Sequence, residues 1–393
     1  MNADTVVITG IGAISPLGNS PAEIADRFCS GESAIRQITS DSGEPAFGAL
    51  LDDIPLKSLP AESQTRVGRL DRLCRLFLGA TYQAIDDARL SRTGSDGARV
   101  GLCFGTGYGC LLTNAEYYEK VIAQGPAAAS PRLFAYTVSS AAAGEVSIAL
   151  GIKGPNVTTH AGFAAGLQAI GYGVDLLRSG KADCIVAGGG DALGPALLRG
   201  LADMRLLKSP GSARPFADAL AGIYPSEGAA VVVLEREADA RRRGATLLAR
   251  IAGWAAGFEP TLTKKEPEPD GILATLRRAN ADSARVDFVL ASAHATAIDQ
   301  TERLALESAF GESILFAPKS AWGECAAASG VLGVALATQL LRAPRSLADG
   351  LAWSAAGVAI DGDEVTHRLQ SASLAAVHGL CYSGPTIALL LAR

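Results

Sequence analysis

From Gly154 to Asp191 the chain passes through three hydrophobic patterns in turn. A polar, Gly-rich stretch gives way to small and apolar residues at Ala164, Ala165, Gly166, Leu167, Ile170, Val174 and Leu177, the spacing of a buried helix. Arg178-Ser179-Gly180 stops that pattern, and the apolar run Cys184 to Ala187, closing on three glycines, reads as a strand. The stretch therefore predicts a turn, a helix and a strand. A helix entered through such a turn aims unpaired N–H groups and its positive dipole end at the turn, where a nucleophile would be favoured. The residue there is Phe163, which carries neither lone pair nor proton to give.

The same patterning organises the rest of the chain. Val6 to Thr9 is a β-branched run that predicts a buried strand, and Ser20-Pro21-Ala22-Glu23 carries the signature of a capped helix start, with a helix to about Ser30. Thr39 to Thr65 is irregular, and apolar positions then recur at helical spacing from Arg66 to Leu90. Arg66, Arg69, Arg72 and Arg75 would line the exposed face of that helix. Further strands are expected at Val100 to Gly107, Ala230 to Glu235, Leu247 to Ala252, Phe288 to Ala291 and Ile387 to Leu391. AAGLQAIGYGVDLLRSG (164–180) also lies over ASGVLGVALATQLLRAP (328–344) without a gap, as a repeat or as two apolar helices of like composition.

Composition narrows the function. The chain has 393 residues, 48% apolar and 19% charged side chains, and a net charge of −5, which suits a compact protein with a sizeable core and no nucleic-acid partner. No run is long enough to span a membrane, and the N-terminus lacks a secretion signal, so the expected location is the cytoplasm. The seven cysteines are scattered and lack C-x-x-C spacing, which predicts reduced core thiols, no disulfide framework and no metal site.

Three stretches, VVITGIGAISPLG (6–18), the segment around Phe163 and RPFADALAGIYPSEGAAVVVLE (214–235), resemble the β-ketoacyl-carrier-protein synthases, condensing enzymes of the thiolase superfamily. The resemblance covers nearly the whole chain. It implies an α/β, thiolase-like fold: a duplicated, five-layered αβαβα architecture with buried central helices. Residues 1–240 would form the N-terminal half and 241–393 the C-terminal half of one ketosynthase-like unit.

The resemblance also implies that the reaction centre is altered. Decarboxylating condensation needs a thiolate for the acyl chain, donors for an enolate and an oxyanion hole; the family supplies a Cys and two His. Phe163 stands at the Cys position. His294 matches the first His, in a shortened HGTxT-like segment, and reads more readily as a histidine satisfied locally. Glu324 stands where KSxxGH has its His, and a carboxylate there would repel both the enolate and the malonyl carboxylate. Lys319 and Glu302 match a Lys and a Glu kept behind the site, so the charge scaffold is expected to remain. The gating loop, usually GFGGTN, reads Cys381-Tyr382-Ser383-Gly384-Pro385-Thr386, which puts its oxyanion-hole geometry in question.

The expected role is a subunit without chemistry of its own: the chain-length factor, which pairs with an active β-ketoacyl synthase and shapes the tunnel in which a polyketide or polyene grows. Many such factors carry Gln at the position of Phe163, and its absence leans the reading toward polyene-type systems. Tyr108, Cys110, Leu111, Asn114, Phe134 and Tyr136 would sit near the partner and the tunnel, or pack internally. Arg66 and Arg69 fall where the family docks acidic acyl carrier proteins, although a solvated face reads the same; such docking would lie mainly on the partner. No cofactor is implied. Two alternatives stay open: an enzyme with a relocated nucleophile, Cys325 or Cys381, and a non-catalytic homodimer that binds an acyl ligand or carrier protein.

Overall fold

The computed structural model describes residues 5–39, 45–55, 67–90, 97–207, 215–216, 222–262, 264, 267–293, 296 and 298–393. Among them the strands are β1 (Val6–Ile14), β2 (Arg36–Thr39), β3 (Pro45–Gly48), β4 (Val100–Gly105), β5 (Asn156–Thr159), β6 (Cys184–Asp191) and β7 (Gly228–Arg236). The chain continues with β8 (Ala249–Phe258), β9 (Phe288–Leu290), β10 (Ile314–Phe316), β11 (Ala352–Trp353), β12 (Leu374–Leu380) and β13 (Pro385–Ala392). The longer helices of the first half are α1 (Pro21–Cys29), α2 (Arg72–Asp87), α3 (Leu111–Gln124), α4 (Ala141–Leu150), α5 (Ala165–Arg178) and α6 (Pro195–Asp203). Those of the second are α7 (Asp270–Ala279), α8 (Ile298–Phe310), α9 (Ala327–Arg342) and α10 (Gly362–Gln370).

Local chemistry accounts for the boundaries. Ser20 caps α1 by accepting from the Glu23 N–H at 3.2 Å, Pro21 takes the first helical position, and the Glu23 carboxylate reaches back to the Asn19 N–H at 2.8 Å. Asp71 caps α2 at the Leu73 N–H, so the helix starts later than the apolar spacing from Arg66 suggests. The strands around β1 are buried on both faces and read as continuous apolar runs. Six strands escaped the sequence reading, the short β2, β3 and β11 among them. NVTT at β5 looks like part of a turn because its side chains are half-exposed, and it lies at the edge of the sheet. β10 is short, and β12 is Ala-rich.

All strands except β2 and β3 join one sheet in the order β11-β10-β9-β12-β13-β8-β1-β7-β6-β4-β5. The order β5-β4-β6-β7-β1 in the first half recurs as β10-β9-β12-β13-β8 in the second, with parallel outer pairs and antiparallel inner ones in both. β1 and β8 join the halves through a short antiparallel contact. The helices α5 and α9, whose sequences overlie without a gap, occupy equivalent places in the two halves.

The fold is a five-layered, thiolase-like α/β architecture. α5 and α9 lie in the middle layer, where Leu167, Ile170, Val331 and Leu336 fill the core between the two half-sheets. α2 and α4 cover the first half-sheet, and α7 and α8 cover the second. All seven cysteines are buried and unbridged. The middle layer fixes the candidate site, because α5 and α9 both begin at it.

Candidate functional site

β5 ends at Thr159, and a single 3-10 turn, Gly162–Ala164, leads into α5. Gly162 has φ +55, and a Cβ there would come within 2.3 Å of Cys381 Sγ, so this turn needs glycine against the opposing loop. Phe163 follows and points inward, 7% exposed. Its ring meets Tyr382 edge-on at 5.5 Å and Tyr108 at 6.4 Å between centroids, and Cys381 and Ala326 complete the cluster. The space left beside Phe163, Tyr108, Asp191, Leu197 and Glu324 is about 10 Å³, room for no more than one water molecule. No acyl chain fits there.

Lys319 and Glu324 flank the ring. Gly323, at φ +80, folds the chain back between them; a Cβ there would press to 2.7 Å on Ser226. Lys319 Nζ thereby donates to Glu324 Oε2 at 2.6 Å and to Ser292 Oγ at 3.0 Å, and it lies 5.9 Å from the Phe163 ring centre. Ser329 Oγ donates to Glu324 Oε1 at 2.9 Å. Both charged side chains are buried, 5% and 2% exposed. The carboxylate expected to repel an anion is thus neutralised by the lysine expected to remain behind the site, and neither group is left to stabilise an enolate.

Glu302 is likewise engaged. Its Oε1 accepts from the Ser292 N–H at 2.7 Å and pairs with His378 Nδ1 at 2.5 Å, while His378 Nε2 meets Thr386 Oγ1 at 2.8 Å. His378 is a buried histidine that sequence reasoning missed, a lone polar residue inside the apolar run of β12. Asp191 was missed too. It ends β6 and accepts from Thr106 Oγ1 at 2.6 Å and from the N–H groups of Gly107, Tyr108 and Ala327 at 2.9–3.0 Å. Burial pushes its carboxyl up to about 6 against these four donors, and it ties the Tyr108 loop to the start of α9. The three glycines before it were the available signal.

The other expected residues divide. Tyr108, Cys381 and Tyr382 join Phe163, while Ser383 is exposed, donates to Cys381 Sγ at 3.3 Å, and precedes Gly384 at φ +108 in the β12–β13 turn. Leu111 and Asn114 are half-buried on α3. Phe134 is exposed, and Tyr136 donates to Glu145 Oε1 at 2.9 Å. Cys110 does not face outward: it is fully buried, with its Sγ 3.7 Å from Cys74 Sγ, so it offers no surface to a partner.

The arginine face also needs correction. Arg72 turns inward to a bidentate pair with buried Glu227, at 2.6 and 2.7 Å, and Arg75 is half-buried; Arg69 is exposed. Arg66 and His294 lie outside the described residues. Cys325 is ill-suited to nucleophilic attack. It is wholly buried, its Sγ lies 3.3 Å from Ser226 Oγ and from the Glu227 carbonyl, and burial pushes its thiol far up, with Glu324 adding to the effect.

The profile of the β-ketoacyl synthase N-terminal domain matches residues 3–240, and that of the C-terminal domain matches residues 248–345. The chain belongs to the β-ketoacyl synthase family. It is 28% identical to a 3-oxoacyl-[acyl-carrier-protein] synthase 2 of Coxiella burnetii over 87% of each chain. It is 30% identical to the like-named protein of Staphylococcus aureus over 78% of this chain and 77% of that one. Two solved structures share its fold across 99% of both chains. One is the ishigamide ketosynthase/chain length factor, with TM-score 0.82 and 24% identity. The other is a type II polyketide synthase acyl-carrier protein in complex with its ketosynthase bound to the hexaketide, with TM-score 0.80 and 19% identity.

Proposed function

We propose that this protein is a catalytically silent subunit, a chain-length factor that pairs with an active β-ketoacyl synthase and shapes the tunnel for the growing chain. One observation carries the reading: the volume where an acyl thioester would form is occupied by Phe163 and by the neutralised Lys319–Glu324 pair. Phe163 offers no atom for a thioester bond, and the pair offers no free donor for an enolate. The remote scaffold, meanwhile, is well packed. The chain shares its fold with the ishigamide ketosynthase/chain length factor, and the proposed role is one that this fold accommodates. Phe163, in place of the Gln common in such factors, leans the proposal toward a polyene-type system.

A partner surface is at hand. β5 ends the sheet with an unpaired edge, and Thr158 Oγ1 on it is buried without a hydrogen-bond partner among the described residues. Beside it, Tyr118, Ile122, Phe134, Val138 and Ile148 are exposed on α3, α4 and the segment between them. An active synthase seated there would cover this face and place its own tunnel against α3. Acyl carrier protein would dock mainly on that partner, with Arg69 at the rim.

The experiment is co-expression with an active synthase followed by size-exclusion chromatography. A one-to-one complex, and poor solubility of the subunit made alone, are expected. A stable homodimer that ignores the synthase would refute the pairing. Of the two relocated-nucleophile candidates, Cys325 is wholly enclosed with its thiol pushed far up by burial, and that alternative rests on Cys381, 8% exposed beside Phe163.

A further inference from the structure

At the end of the central sheet opposite Phe163 lies a cleft of about 950 Å³. β4 spans the distance: Val100 lines the cleft, and Gly105 touches the Ala165 backbone at the start of α5, about 17 Å away along the strand. The cleft therefore belongs to a separate place on the molecule. Its floor is apolar, formed by Ile85, Leu90, Val100 and Ile152. Its rim is cationic.

Among the described residues, six cationic side chains line it, Arg89, Arg99, Lys153, Arg236, Arg242 and Arg243, against three carboxylates, Asp183, Glu235 and Asp239. Counted over these described residues, that is a local surplus of three positive charges in a chain of net charge −5. The carboxylates are already shared out. Asp183 is held by Arg99 and Arg236 at 2.7 and 2.6 Å, Asp239 by Arg236 and Arg242 at 2.7 and 2.8 Å, and Glu235 by Arg243 at 2.5 Å. The two arginines hold the Asp183 carboxyl down at about 2, so it stays ionised and pins both guanidinium groups in place. Arg89 and Lys153 are exposed and make no ion pair among the described residues. Arg89 also sits in the left-handed region at φ +51, just past the end of α2.

The geometry points to a binding site for an organic diphosphate or triphosphate, with its charged end at the arginine rim and its less polar body on the floor. The volume is within the range of small-ligand sites, and guanidinium groups held in a fixed fork are the side chains best matched to phosphate oxygens. A bare polyphosphate would use the rim alone; an organic one would use the floor as well.

Isothermal titration at low ionic strength with inorganic pyrophosphate and with ATP, both without divalent metal, tests the assignment on the protein purified alone or with its partner. Both ligands are expected to bind, ATP at least several-fold more tightly. The variant Arg89→Glu/Arg242→Glu is expected to weaken both at least tenfold, because it reverses two rim charges that lie on the exposed side of the cleft. Neither residue touches the Phe163 cluster, and unchanged circular dichroism and thermal midpoint would show that the variant is folded. Absence of binding heat for either ligand, or binding that the reversed charges leave unchanged, would overturn the site. Pyrophosphate binding as tight as ATP would overturn the organic ligand.

Discussion

Lys319→Met is the substitution through which the candidate site reports most directly on its own electrostatics. In the native protein the lysine and Glu324 meet at 2.6 Å with 5% and 2% of their side chains exposed. Removing the ammonium takes the neutralising charge away from a buried carboxylate, and the Ser329 hydroxyl at 2.9 Å is a neutral donor. Loss of one ordinary charge-assisted hydrogen bond would cost about 1.5–3 kcal/mol, whereas stranding one member of a buried pair costs about 3–5 kcal/mol. We expect a loss of about 3–5 kcal/mol for Lys319→Met and a smaller one for Glu324→Gln, which keeps the shape and leaves Lys319 its Ser292 contact. The double variant Lys319→Met/Glu324→Gln removes both charges and should be less destabilised than Lys319→Met alone, with a coupling of about 2–3 kcal/mol. Urea unfolding followed by far-ultraviolet circular dichroism measures all four corners of the cycle. A cost below about 1 kcal/mol for Lys319→Met, the value of a solvent-exposed pair, would refute a buried, mutually neutralised pair.

Phe163→Cys restores a thiol but not a donor for the enolate, so no condensation product is expected from an acyl carrier thioester and malonyl carrier; measurable product would overturn the role assigned to the Lys319–Glu324 pair. Burial pushes the thiols of Cys29 and Cys103 up to about 11 and 12 and those of Cys184 and Cys325 higher. Iodoacetamide at pH 8 should therefore leave these four unmodified in the native protein and alkylate them after denaturation, as read by peptide mass spectrometry. Asp191, raised to about 6 when folded against about 4 in an unfolded chain, binds its proton more readily in the folded state. Its contribution to stability therefore increases as pH falls from 7 toward 4, by about 1–3 kcal/mol. Asp191→Asn should remove that part of the slope in urea midpoints measured across the range.

Much of the scaffold was readable because long apolar periods dominate local choices. The turn and helix around Phe163, the Ser20 cap and the buried strands β1, β4 and β7 all follow from spacing and capping chemistry. So does the match between α5 and α9, which the repeated strand order places in equivalent positions. The site was read only as a set of substitutions. Which group each altered residue would contact depended on folding over distances that no local period reports. Lys319 and Glu324 meet because Gly323 reverses the chain, and Glu302 meets His378 from an element 76 residues away. Arg69 is exposed in the turn before α2, whereas Arg72, in the helix's first turn, finds Glu227 just ahead of β7, so a pattern of arginines read as one helix face misjudged the direction of one of them. β5 was missed for a related reason: it is the terminal strand of the sheet among the described residues, and its side chains are exposed or half-buried, so it shows no apolar run.

Intact-protein and peptide mass spectrometry of the complex with an active synthase, quenched during turnover with labelled acyl carrier thioester, tests the absence of chemistry on this subunit most directly. The acyl mass should be found on the partner's cysteine and on no residue of this chain. An acyl group bonded to this polypeptide, on Cys381 or anywhere else, would contradict it.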